Sequence, residues 1–226
     1  LSQAAAREIH ANDLLVRVCA YYHDIGKLTK PEFFIENAQG RQNPHDDLSP
    51  SMSRLLIISH VKEGVSLARR YKLPGIIVDG IEQHHGTSVI QYFYHRAKQR
   101  AEESDKSNIK EEDYRYPGPK PRSAEMGILM LADSLEAASR SVDKNKPGQI
   151  EGLVNEIIQE KINDGQLDRC ALTLEQINHI RRSFIFSLNN MLHGRVAYPK
   201  KEAPATPEKK PDTHLSEEAQ LRQDES

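Results

Sequence analysis

The chain lacks any apolar run approaching the ~20 residues that a membrane-crossing helix needs. Its longest such runs, Leu55–Ile58 and Ile128–Ala132, stop far short. No opening segment reads as a signal peptide. An excess of one charge is missing too, since 31 Lys and Arg face 33 Asp and Glu for a net charge of −2. That balance excludes bulk electrostatic binding to a nucleic acid polymer or an anionic membrane surface, so any anion site must be local. Cysteine is scarce. Cys19 and Cys170 lie far apart and match no metal or redox spacing, which points to a reducing compartment. Strand patterns are nearly absent and no internal repeat is visible. With 37% hydrophobic residues among 226, the composition supports one good-sized domain and a segment outside its core. The first residue is Leu1, not Met, so the chain is read as a fragment of a longer protein.

What is present is helical periodicity. After Asn12-Asp13, the residues Leu14, Leu15, Val18, Cys19 and Tyr22 recur on one stripe, and Gly26 ends that helix. A turn-rich connection from Lys30 to Leu48 follows, in which Phe33, Phe34 and Ile35 can dock on a core. Ser49-Pro50 is an N-cap and first-turn pair. It starts a helix to about Tyr71 that turns Met52, Leu55, Leu56, Val61, Val65 and Ala68 inward. Pro74 opens the next helix, with Ile76, Ile77, Ile81 and His84 inward and Gly86 closing it. A short helix covers roughly Thr87 to Glu102, and Glu103 to Arg122 is a long loop rich in charge, Pro and Gly. Ser123 caps an apolar helix to about Val142, and Pro147 starts another ending near Gly165. Thr173 with Gln176 forms a capping box for the last helix, which ends near His193. The expected fold is an all-α helical bundle with a long loop insertion. Residues 199–226 carry no apolar face and are expected to form a disordered tail.

Four features stand out from this background. His23-Asp24 closes an apolar helix with an imidazole and a carboxylate, a pair able to bind one metal and bridge to a second. Taken alone, such a dipeptide more often caps a helix and opens a turn. His60 lies one turn after Leu56, on the inward face, where a histidine is more often hydrogen-bonded packing. His84-His85 puts two imidazoles at the buried end of a helix, where they cost desolvation and repel if charged; a metal relieves both. Asp133 interrupts the most apolar helix of the chain, and a carboxylate there needs a cation or several donors. Converging on one core, such a mixed nitrogen and oxygen set suits two metals better than one. Two ions about 3.5–4 Å apart are a standard arrangement for in-line attack on phosphorus.

The motifs His23-Asp24-Ile25-Gly26-Lys27, His60, His84-His85-Gly86-Thr87 and Leu131-Ala132-Asp133-Ser134 resemble the HD-domain metal-dependent phosphohydrolase superfamily. Asn43-Pro44-His45-Asp46, Ile58-Ser59-His60-Val61-Lys62, Ile81 to Ser88 and Tyr116-Pro117-Gly118-Pro119-Lys120-Pro121 are similar to its membrane-anchored cyclic di-AMP phosphodiesterases, the PgpH type with a seven-helix membrane region. The likeness covers about Ala11 to Tyr198. It implies an HD domain over 1–198 and two divalent transition ions, manganese or iron. One ion falls on His23, Asp24 and Asp133, the other on His60, His84 and His85, with Asp24 bridging. Lys27 is placed beside them to hold a phosphate oxygen. The family has a further metal-binding histidine on a helix before Leu1, and His10 does not match its context.

The implied activity is hydrolysis of cyclic di-AMP to linear pApA by metal-activated hydroxide, with Asp24 and Lys27 as catalytic residues. The implied location is the cytoplasmic side of a cell membrane, with attachment through a preceding region and this part itself soluble. Lys120, Arg115, Tyr114 and Tyr116 of the long loop are candidates for contacts to a base or phosphate. A rival within the superfamily is hydrolysis of cyclic di-GMP or a mononucleotide. A rival of another class is a nucleotide-sensing module that works with one metal or none. His45 is a candidate for lining a substrate groove, while His95, His179 and His193 lie on helices without a partner motif, and His214 is in the tail. Oligomeric state is not legible.

Overall fold

The computed structural model describes residues 1–37, 43–103, 109–141 and 148–193. The expected tail at 199–226, the boundary at 198 and the helix start at Pro147 lie outside them. Among the described residues there are eight α-helices: α1 (Ser2–Glu8), α2 (Asp13–Tyr22), α3 (Pro50–Arg70), α4 (Gly75–Gln83), α5 (Gln91–Glu103), α6 (Ala124–Ser139), α7 (Gln149–Asn163) and α8 (Leu174–His193). None of them is long and apolar enough to cross a membrane. Among the described residues the only extended pairing is one isolated bridge between Val89 and Arg115.

Capping sets the helix starts as the side chains demand. Asn12, Ser49 and Ser123 each accept the backbone N–H three residues on, at 2.9, 3.2 and 3.3 Å. At α8 the Thr173 and Gln176 side chains accept each other's backbone N–H. Each such bond satisfies an amide that the helix itself leaves without a partner.

Helix α6 is the axis of the bundle. Ile128, Leu131 and Leu135 pack with Val154 and Ile158 of α7 and with Ile180, Phe184 and Leu188 of α8. Met126 and Leu129 face the other way, onto Cys19 of α2, Ala68 of α3 and Ile77 and Ile81 of α4. Two cores flank one helix, so α6 is apolar nearly all round. Helix α1 had no recognisable apolar stripe in the sequence, yet Ala5 and Ala6 are fully buried in the first core. Small side chains let that helix lie close without a bulky signal.

Several expected faces are rotated. Leu14 and Tyr22 are exposed on α2, and Val16 and Cys19 are its buried residues. On α3, His60, Val61 and Ala68 are buried as expected, but Met52 and Leu55 are half exposed, and Ser53 and Gly64 are buried with the inward set. Ile76 of α4 also faces outward. Segment 87–90, expected within a helix, is the extended lead into α5.

Candidate metal centre

His23 caps the C-terminus of α2, and a 3₁₀ turn, Ile25–Thr29, follows Asp24. The turn lies directly against α3. A Cβ on Gly26 would run into the His60 carbonyl and come within 2.5 Å of the Gly64 amide. Glycine is required there by close approach, since only a backbone without a side chain brings the His-Asp turn up to His60. Gly86 serves differently. Its φ of +52° ends α4 just after His84-His85, and a Cβ there would strike Gln166 and Met130.

Three of the four imidazoles are aimed in the same way. Nδ1 of His23, His60 and His84 donates to the carbonyl three residues back, of Ala20, Ile57 and Ile81. Each Nδ1–H bond fixes the tautomer, so each Nε2 presents a lone pair to the centre. His60 Nε2 and His84 Nε2 lie 3.2 Å apart. Asp24 Oδ1 is 3.4 Å from the first and 3.7 Å from the second. Its other oxygen, Oδ2, is 3.2 Å from His23 Nε2 and 2.7 Å from Lys27 Nζ. Asp133 reaches across from α6, with Oδ1 3.4 Å from His23 Nε2 and Oδ2 3.6 Å from His85 Nδ1. The sequence-chosen residues therefore share one site. Two overlapping triads have geometry able to hold an ion, His60–His84–His85 and His23–Asp24–His84, so His84 faces both sides.

The electrostatics fit a missing positive charge. His23 Nε2 and Asp24 Oδ1 are buried without a hydrogen-bond partner among the described residues. Two facing lone pairs on His60 and His84 repel unless a cation or proton lies between them. Burial resists the proton, holding His60 below the usual imidazole value and His84 down to about 3. His85 is likewise pushed well down by burial and by the neighbouring His84. Burial also opposes charge on His23, but the carboxylates of Asp133 and Asp24 carry its pKa up to about 10, so without an ion a proton on Nε2 balances them, and a bound ion would displace that proton to take up the lone pair. Asp24 and Asp133 stay below the ordinary carboxylate range despite burial, because His23 faces both. Neutral imidazole nitrogens beside anionic oxygens are the donor set of a divalent transition ion.

The centre forms the floor of a cavity of about 740 Å³, walled by Phe33, Phe34, Tyr92 and Arg140 among others. That is the size of a site for a small organic ligand, ~300–1,000 Å³. Lys27 lines it, held by Asp24 and by Glu36 Oε1 at 2.8 Å. An ammonium has three protons, so one remains for a ligand oxygen. Other expectations fail. Tyr114 is buried and bonds Ser51 through its hydroxyl, Arg115 is clamped by Asp164 and Glu111, and Lys120 donates to the Gly165 carbonyl. Their bonds run to the fold, and none of the three lines the cavity above the centre. His45 is buried, donates to the Phe33 carbonyl and packs between Phe33 and Phe93, bracing the cavity wall. The 37–43 stretch beside it lies only partly within the described residues. Tyr116 lines the cavity and stacks on His85, a contact that no pattern in the sequence signals.

Comparison with known proteins agrees with this geometry. Residues 1–138 match the model of the HD domain family. The chain is 47% identical over 199 residues to "Cyclic-di-AMP phosphodiesterase PgpH" of Bacillus subtilis (strain 168), covering 88% of this chain and 27% of that protein. It is 43% identical over 201 residues to "Uncharacterized protein slr0104" of Synechocystis, covering 88% and 25%. The chain thus spans about a quarter of the length of these curated relatives. The crystal structure of the L. monocytogenes phosphodiesterase PgpH HD domain in complex with cyclic-di-AMP superposes with a TM-score of 0.79 at 42% identity, covering 84% of this chain and 86% of that one.

Proposed function

The chain belongs to the HD-domain family, and from that premise we propose that it is a metal-dependent phosphodiesterase hydrolysing cyclic di-AMP to linear pApA. The observation that carries this reading is the convergence of three Nε2 lone pairs and both oxygens of Asp24 at the floor of one ligand-sized cavity. The likeness to a solved HD domain holding cyclic di-AMP supports the choice of substrate.

Two divalent transition ions, manganese or iron, suit these donors. His23, Asp24 and Asp133 would hold one, and His60, His84 and His85 the other, with Asp24 shared. When bound, they supply Lewis acidity that compensates charge on a phosphoryl group and acidifies water. The protein's own groups do the rest. The three Nδ1–H bonds hold the rings at fixed angles, so that no ordering is left for the moment of reaction. Lys27 offers its free proton to a phosphoryl oxygen while Asp24 and Glu36 hold it in place. The aromatic wall of Phe33, Phe34 and Tyr92 gives a base an apolar surface and displaces water.

Because the relatives are several times longer, the proposal extends to this domain, residues 1–198, being the cytoplasmic part of such a protein, anchored to a membrane through another part of the chain. Elemental analysis beside product identification tests the reading. Two equivalents of metal and pApA from cyclic di-AMP, with slower turnover of cyclic di-GMP and mononucleotides, are expected. A chain that binds the nucleotide with one metal or none, and releases it intact, is a sensor and not this enzyme.

A further inference from the structure

His85 differs from the other imidazoles of the centre. His23, His60 and His84 are each pinned through Nδ1 to a carbonyl of their own helix, whereas Nδ1 of His85 faces Asp133 Oδ2 at 3.6 Å. The His84 ring leans on one side of the His85 ring, with centroids 4.0 Å apart and tilted by 44°, and the ring that stacks on it is Tyr116, with centroids 4.2 Å apart and an interplanar angle of 23°. Tyr116 also meets His60 edge-on at 6.3 Å.

The ring of Tyr116 is in turn held rigidly. Its backbone N–H donates to the Ser88 carbonyl at 3.0 Å, and Ile90 N–H donates to the Tyr114 carbonyl at 2.8 Å. Arg115 next to it makes two bonds to the Asp164 carboxylate, at 2.9 and 3.0 Å, and one to the Thr87 carbonyl. Lys120 closes the segment onto Gly165. A stretch with the composition of a loose loop is therefore a strut from the end of α7 to the imidazole. Only 9% of the surface of Tyr116 is exposed, and that part lines the cavity above the centre.

We propose that Tyr116 is a positioning residue for His85, acting through its ring face and not its hydroxyl. It does for this ligand what a hydrogen-bonded carbonyl does for the other three. The proposal rests on the metal centre proposed above. Loss of a group that orients a metal-ligating histidine weakens metal affinity by about 10–100-fold.

Mn²⁺ binding by titration calorimetry, with melting in chelator alongside, tests it on the parent chain, Tyr116→Phe, Tyr116→Leu and Arg115→Gln. Tyr116→Phe keeps the ring and should bind Mn²⁺ within two-fold of the parent. Tyr116→Leu should lose about ten-fold or more in one class of sites while the other class holds, and Arg115→Gln, which frees the strut at a distance, should move the same way by a smaller factor. Parental Mn²⁺ affinity in Tyr116→Leu overturns the proposal, as does a Tyr116→Phe as impaired as Tyr116→Leu. If Tyr116→Leu does not fold in chelator, Arg115→Gln decides, and unchanged binding there overturns the proposal. A parent chain that binds no Mn²⁺ overturns the metal centre itself together with this proposal.

Discussion

Gly26→Ala is the smallest change that tests how the centre is assembled. The added methyl would meet the His60 carbonyl and the Gly64 amide, both backbone atoms in the middle of α3. Overpacking a core costs about 1–3 kcal/mol when side chains can yield. Here nothing can rotate aside, so the expected cost is at the upper end, about 3 kcal/mol. At roughly 2–4 °C per kcal/mol for a domain of this size, melting falls by about 6–12 °C. The turn must also lift away from α3, which separates Asp24 from His60, now 3.4 Å apart. A displacement near 1 Å costs on the order of 100-fold in a positioned reaction. Thermal melts in chelator and Mn²⁺ titrations read the two effects separately. Gly152→Ala is the control: its Cβ meets nothing within 4 Å, on an exposed face of α7, and alanine there should stabilise by about 0.5–1 kcal/mol. A Gly26→Ala chain that melts and binds metal like the parent would refute the packing argument.

Asp24→Asn should keep the helical circular dichroism yet lower hydrolysis by more than ~100-fold, because an amide has one neutral oxygen where the site uses two anionic ones; parental turnover with metal added would contradict this. His84→Ala and His85→Ala should each reduce metal stoichiometry, and the double variant should lose less than the sum of the two, because both serve one ion; elemental analysis with a melt separates this from simple destabilisation. In chelator, pH acts in two directions. His23 rises from 6.5 to about 10 on folding, so its contribution is full below pH 6.5 and lost as pH climbs toward 10. His84 falls from 6.5 to about 3, so its contribution is full above pH 6.5 and lost as pH drops toward 3. The melting temperature should therefore peak near neutrality, and His23→Ala should flatten the alkaline limb and also alter the acid one, because His23 helps hold His84, Asp24 and Asp133 low.

The site was far more legible in the sequence than the packing around it. His23-Asp24, His60, His84-His85 and Asp133 stood out because polar groups in apolar helices need a reason, and the reason brought them together. On α3, Val61, Ala68 and His60 face inward as their spacing predicts, and the misreading is confined to its first turns. The close approach of Gly64 to Gly26 sets the inward side, which leaves Met52 and Leu55 on the outer side. Helix α1 was missed because Ala5 and Ala6 pack through absence of bulk, which periodicity cannot register. The clamping of Arg115 and the stacking of Tyr116 were not legible because composition describes a segment by itself, whereas their partners, Asp164 and His85, are remote in sequence.

The most direct test of the central claim is product analysis after incubating the chain with cyclic di-AMP and Mn²⁺, with a parallel sample in chelator. The account predicts linear pApA in the first sample and intact cyclic di-AMP in the second. Hydrolysis that proceeds in chelator, or bound nucleotide that stays intact with Mn²⁺ present, would contradict it.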